Sequence, residues 1–70
     1  MVLSARNNLV GTVKSIEKGD VVAEVVVELG DGQTVTSTIT RGSADRLDLA
    51  VGDEVSAVIK ASEVMVNKED

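Results

Sequence analysis

The chain has 70 residues, 12 acidic and 7 basic, giving a formal charge of −5; 43% of residues are hydrophobic, yet aromatic residues, Cys and His are all absent. An acidic field repels nucleic acid and anionic membranes, and without Cys and His there are no disulfides and few means of holding a structural metal. No apolar run is long enough for a membrane span and the N-terminus lacks the regions of a signal peptide, so the expected setting is the cytoplasm, without a membrane or nucleic-acid partner.

In chain order, residues from Leu9 to Ile16 form a first strand, with an apolar phase that slips between Val13 and Ile16 as a bulge or strong coiling requires. Lys18-Gly19-Asp20 turns the chain into the clearest strand, Val21 to Leu29, whose Val and Ala residues fall on both faces. Gly30-Asp31-Gly32-Gln33 carries a hairpin signal before a third strand, Thr34 to Thr40. There Val35, Ser37 and Ile39 share one face and the four threonines the other. Gly42-Ser43 breaks the strand pattern. Ser43 is the expected N-cap of a short helical turn over Ala44-Asp45-Arg46-Leu47, with Asp45 in its first turn. Val51-Gly52-Asp53 turns into a fourth strand, Glu54 to Lys60, and Val64-Met65-Val66 is expected as a short fifth strand before a frayed tail.

Five short strands with a helical turn between the third and fourth match an all-β, OB-like Greek-key barrel, a single domain over residues 1–70. A domain this size hides only about 60% of the surface its unfolded chain exposes. Its core must be built from small side chains, Val alone occurring fourteen times. With disulfides unavailable, association is the remaining way to stabilise it, and a homo-oligomer is expected.

Catalysis is poorly supplied, because neither His nor Cys nor a G-x-S-x-G nucleophile motif is present. Asp31-Gly32 lacks the alternating oxygen ligands of a calcium loop and reads as a turn. Single-stranded nucleic acid, the common partner of OB-like barrels, calls for aromatic platforms in a basic groove, and this chain has neither. What remains is small-anion chemistry. Ser4-Ala5-Arg6-Asn7 joins a hydroxyl, a guanidinium fork and an amide; taken alone, Arg6 is equally well a solvated charge and Asn7-Asn8 a turn. Thr40-Arg41-Gly42-Ser43 sits where a strand passes into a helical start, so Ser43 serves as cap, ligand or both. Lys60-Ala61-Ser62 offers an ammonium and backbone N–H groups, although a lysine at a strand end commonly serves solubility and edge protection.

Together these segments resemble the molbindins, or Mop proteins, small cytoplasmic molybdate- and tungstate-binding proteins with one transport-associated OB domain. The likeness covers nearly the whole chain. It rests on Ser4-Ala5-Arg6-Asn7 with Leu9-Val10-Gly11, on Val22-Ala23-Glu24-Val25, on Thr36-Ser37-Thr38-Ile39-Thr40 with Ser43, and on Val58-Ile59-Lys60-Ala61-Ser62-Glu63-Val64-Met65, in that order and spacing. It implies a homo-hexamer, a trimer of dimers, with molybdate or tungstate held between subunits and no other cofactor or free metal cation. By position it implies side-chain donors from Ser4, Arg6, Ser43 and Lys60, backbone donors from Ala5 and Ala61, and a lining or supporting role for Thr40. Ala61 stands where relatives often carry a hydroxyl residue, so only its backbone donor is retained. A second class of site near symmetry axes is also implied, without residues assigned to it. The expected function is non-enzymatic storage or buffering of the oxyanion, with delivery to a partner, sensing, or a ligand-free structural oligomer as alternatives.

Overall fold

A computed structural model describes residues 6–69. It contains four strands, β1 (Asn7–Lys18), β2 (Val22–Leu29), β3 (Thr34–Thr40) and β4 (Glu54–Ile59), with helix α1 (Arg41–Arg46) between β3 and β4 and one 3₁₀ turn at Ala61–Glu63. The strands form one antiparallel sheet in the order β3-β2-β1-β4. That order is a Greek key. The sheet curls into a half-barrel. The expected fifth strand is corrected here: Val64, Met65 and Val66 have no sheet partner among the described residues, and Met65 and Val66 are 95% and 93% exposed. Among the described residues, no strand is placed to receive three apolar residues that follow a 3₁₀ turn. Local propensity alone therefore does not make a strand of them.

β1 organises the sheet. Its first half pairs with β4, from Asn7↔Ile59 to Thr12↔Glu54, and its second half extends along β2, from Gly11↔Leu29 to Lys18↔Ala23. Between Val13 and Ser15 the register shifts by one residue, so Lys14 is extra and the strand bends as the slipped apolar phase requires. The turn before β4 is bonded to the bend: the Val13 N–H donates to the Asp53 carbonyl and the Gly52 N–H to the Val13 carbonyl, each at 2.9 Å. The strand is longer at both ends than the apolar run alone suggests, because polar Asn7, Glu17 and Lys18 are carried into the ladder by their partners.

The concave face holds the core. Val13, Val25 and Val27 are buried at its centre, with Ile16, Leu29, Ile39, Leu49 and Val55 packed against them. Alternation works as expected: Ala23, Val25 and Val27 point inward from β2, Val35, Ser37 and Ile39 are half-buried on β3, and the threonines are exposed. Gly11 is needed where β1 crosses β2. A Cβ on it would lie 2.5 Å from the Glu28 carbonyl oxygen and 2.7 Å from a Val27 methyl. On the open side, between β3 and β4, an apolar groove of about 420 Å³ exposes core residues including Val35, Ile39, Val55 and Ile59. Both bordering strands are sheet edges.

The hairpin from β2 to β3 forms as its composition predicts. Gly32 takes a positive φ of 89°, the Leu29 N–H donates to the Gln33 carbonyl at 2.7 Å, and the Asp31 carboxylate accepts the Gln33 N–H at 3.1 Å. The helix start differs from expectation. Thr40, not Ser43, is the N-cap: its backbone is extended and its hydroxyl accepts the Ser43 N–H at 3.0 Å. The last strand threonine thus doubles as the cap, and Arg41 and Gly42 are already helical. Asp45 consequently falls past the first turn. It accepts Lys18 Nζ at 3.1 Å and Arg41 Nε at 3.3 Å, pinning the helix to the end of β1. The Lys18 hydrogen bond, with Arg41 adding to it, draws the Asp45 carboxyl below its ordinary value of 3.8.

Gly11→Ala is expected to destabilise the fold by about 1–3 kcal/mol, through overpacking against backbone that cannot retreat. Urea unfolding at fixed protein concentration reads this directly, and an unchanged midpoint would contradict the close approach. Asp45→Asn has a pH-dependent signature. A carboxyl with a depressed native pKa adds stability above its unfolded pKa and loses it as pH falls through the native one. The variant should therefore melt slightly below wild type at pH 7 and converge with it as pH falls below 3.8. A difference that persists in acid would mean the ion pairs are not its source.

Candidate oxyanion-binding site

The expected donors fall into two clusters. Ser4 and Ala5 lie outside the described residues. Arg6, the first described residue, is exposed and sits immediately beyond the Asn7↔Ile59 pair. Arg6 and Lys60 are the residues that flank this last ladder pair. Two cations thus adjoin the same end of the sheet, and among the described residues neither forms an ion pair with a carboxylate. Like charges brought close repel. An anion between them would reverse the sign of that interaction.

Two features fix this end of the sheet. The Asn7 side-chain amide Nδ2 donates to the Ile59 carbonyl at 3.2 Å, tying β1 to the last residue of β4. Asn7 is thus a strand residue with a clamping side chain, not part of a turn. Beyond it, Lys60 enters the 3₁₀ turn with its ammonium uncommitted to capping, while its carbonyl accepts the Glu63 N–H at 2.9 Å. The N–H groups at the start of such a turn have no acceptor within it, so Ala61 and Ser62 present backbone donors beside the lysine. Among the described residues the Ala61 N–H has no acceptor.

The second cluster surrounds α1. Thr40 and Ser43 hydroxyls are 2.8 Å apart, and Arg46 Nη2 donates to Ser43 Oγ at 3.1 Å. Arg46 was not among the expected donors, although its spacing of three residues from Ser43 on a helix is the signal that finds it. Arg41, within the segment singled out from the sequence, serves the fold instead: besides Asp45 it binds the Gly19 carbonyl through Nη1 at 3.1 Å. Every group in the Thr40, Ser43 and Arg46 cluster can donate a hydrogen bond.

These clusters do not meet within one protomer. Arg6 precedes β1, whereas Thr40 pairs with Val22, just past the other end of that 12-residue strand. At about 3.3 Å per residue the strand separates them by on the order of 35 Å of contour. Its bend shortens this separation without reversing the strand. Among the described residues no group of three or more Asp and Glu side chains could hold a metal ion, and no helix is long and apolar enough to cross a membrane.

Comparison with known proteins places this arrangement in context. A family model, the TOBE domain, matches residues 3–66. A probable molybdenum-pterin-binding protein of Haemophilus influenzae is 46% identical over 69 residues, 99% of this chain and all of that protein. Among solved structures, a molybdate-binding protein from Sporomusa ovata superposes with a TM-score of 0.92 at 44% identity, covering 97% of this chain and all of that one. The cytoplasmic molybdate-binding protein ModG, solved with molybdate bound, matches with a TM-score of 0.88 at 51% identity over 93% of this chain and 46% of its own. The match in sequence and in fold runs over nearly the full length, so the chain belongs to the TOBE-domain family of molybdenum-pterin-binding (Mop) proteins.

Proposed function

We propose that this protein binds molybdate or tungstate at sites assembled between copies of the chain, and that it stores or buffers the oxyanion in the cytoplasm. The observation that carries the reading is the division of the donors: Arg6, Lys60 and Ala61 at one end of β1, Thr40 and Ser43 at the other. Among the described residues, neither group of donors surrounds an anion by itself. Two copies that bring one half of each together supply cations, hydroxyls and backbone N–H groups around one ligand. Ser4 and Ala5, which lie outside the described residues, join the donors in this reading through the family resemblance alone. Relatives described as molybdate-binding, one of them cytoplasmic and solved with the ion in place, support the choice of ligand. The family is one of binding proteins, and the chain is not an enzyme.

The donor set suits the ligand. Molybdate and tungstate are fully deprotonated dianions at neutral pH and present only acceptors. Hydrogen phosphate carries a proton that needs an acceptor, and leaving it unpaired in a buried site costs about 1–3 kcal/mol. The acidic net charge is no obstacle, because at physiological salt distant charges are screened over about 8 Å while the donors act at contact.

A homo-hexamer, built as a trimer of dimers, is the assembly in this reading. The open apolar groove and the exposed Val64-Met65-Val66 tail support association, since a thin core with one uncovered side has surface to bury.

Native mass spectrometry with and without tungstate tests assembly and stoichiometry together; a monomer that takes up no tungstate would overturn the reading. Arg6→Ala is expected to weaken tungstate binding by about tenfold to a hundredfold, as loss of a charge-assisted hydrogen bond implies, and to leave the oligomer mass unchanged. Calorimetry gives that ratio, and equal affinity would remove Arg6 from the site. Saturation at about 100 times the dissociation constant should stabilise the fold by roughly 2.7 kcal/mol in thermal melts.

A further inference from the structure

The geometry points to Arg46 as a specificity-determining residue that acts through Ser43, making the Ser43 hydroxyl a pure donor toward the bound oxyanion. This inference rests on the oxyanion reading above and adds to it a residue that does not itself have to touch the ligand.

Thr40 Oγ1 accepts the Ser43 N–H at 3.0 Å, as the helix cap. One proton lies between the two hydroxyl oxygens, 2.8 Å apart; a bound oxyanion, which offers only acceptors, draws the Ser43 proton outward, and Thr40 is then the donor between them. Arg46 Nη2 lies 3.1 Å from the same Ser43 oxygen, and a guanidinium can only donate. Both lone pairs of Ser43 Oγ are then filled, one by Thr40 and one by Arg46. Its own proton is left over. In that arrangement Ser43 gives a hydrogen bond to the bound oxygen and has no lone pair left to take one.

Arg46 is held in a position to do this. It folds back over the first helical turn, where residue 42 is glycine; a Cβ there would lie 3.4 Å from Arg46 Nη1. No carboxylate pairs with Arg46 among the described residues, whereas Arg41 and Lys18 are both committed to Asp45. Its positive charge also polarises the Ser43 oxygen it binds, which strengthens the outward O–H as a donor.

Removing Arg46 returns one lone pair to Ser43, which can then accept a proton from a ligand while still donating its own. The anions that gain are those that carry a proton at neutral pH. Tungstate, which has none, gains nothing and loses a polarised donor.

The test is calorimetric titration with tungstate, followed by competition with inorganic phosphate, for wild type, Arg46→Ala, Arg46→Lys, Ser43→Ala and the Arg46→Ala, Ser43→Ala double variant. Arg46→Ala is expected to weaken tungstate about threefold to tenfold and to lower the tungstate-over-phosphate preference about tenfold, the size of one buried hydrogen-bonding mismatch. Arg46→Lys, which keeps a cationic donor, should recover most of the preference. In the Ser43→Ala background the Arg46 change should leave the preference unmoved, as a double-mutant cycle requires when one residue acts through the other. Arg46 is exposed at the helix end, and native mass with thermal melts verifies that fold and assembly are retained. A preference unchanged in Arg46→Ala, or lowered equally with Ser43 absent, overturns the inference. If wild type binds tungstate and Arg6→Ala does not, such a result removes the Arg46 role alone. A wild type that takes up no tungstate removes the site itself, and Arg46 with it.

Discussion

The close passage of β1 across β2 at Gly11 is the constraint on which the remaining architecture hangs. Backbone meets backbone there with no room for a side chain, which lets one long strand serve two partners, β4 along its first half and β2 along its second. The extra residue at Lys14 supplies the bend between those halves. From that bend follow the curl of the sheet, the core around Val13, and the anchoring of the turn before β4 to the Val13 backbone. The strand that shapes the core also sets the distance between the two donor clusters, so packing and ligand chemistry answer to the same twelve residues.

Much of this was legible in the residues. Alternation placed β3 residue for residue, because every second position is a threonine and the inward ones are Val35, Ser37 and Ile39. The slipped apolar phase after Val13 located the bulge. The hairpin at Gly30-Asp31-Gly32-Gln33 followed from its turn chemistry. Strand ends were harder, since Asn7, Glu17 and Lys18 enter the ladder through their partners and not through local preference. The fifth strand was misread for a related reason. Val64, Met65 and Val66 have the composition of a strand, but a strand exists only where another edge receives it, and that information is not local.

The helix start illustrates a different gap. Both Thr40 and Ser43 are good caps, and the chain uses the first because the extended backbone of β3 delivers its hydroxyl to the N–H three residues on. Ser43 is released from capping with its side chain and takes up Arg46 instead. From the sequence Asn7 reads as an anion-binding amide or a turn residue and Arg46 is not singled out, since each acts on another residue, the Ile59 carbonyl and the Ser43 hydroxyl, and such roles emerge only once partners are in place. The family resemblance singles out the donors, and the strand register divides them into two groups.

That division has a consequence for the economy of the cell. Under the proposed reading, a ligand whose donors come from opposite ends of two chains is held only by assembled chains, so at concentrations where assembly is incomplete occupancy rises with protein concentration more steeply than in simple proportion. Expression level then acts as a threshold: dilute chain leaves the oxyanion free for use, and abundant chain sequesters it. Joining two copies in tandem would replace encounter by an effective concentration fixed by the linker, and would convert a graded reservoir into one that works at any abundance.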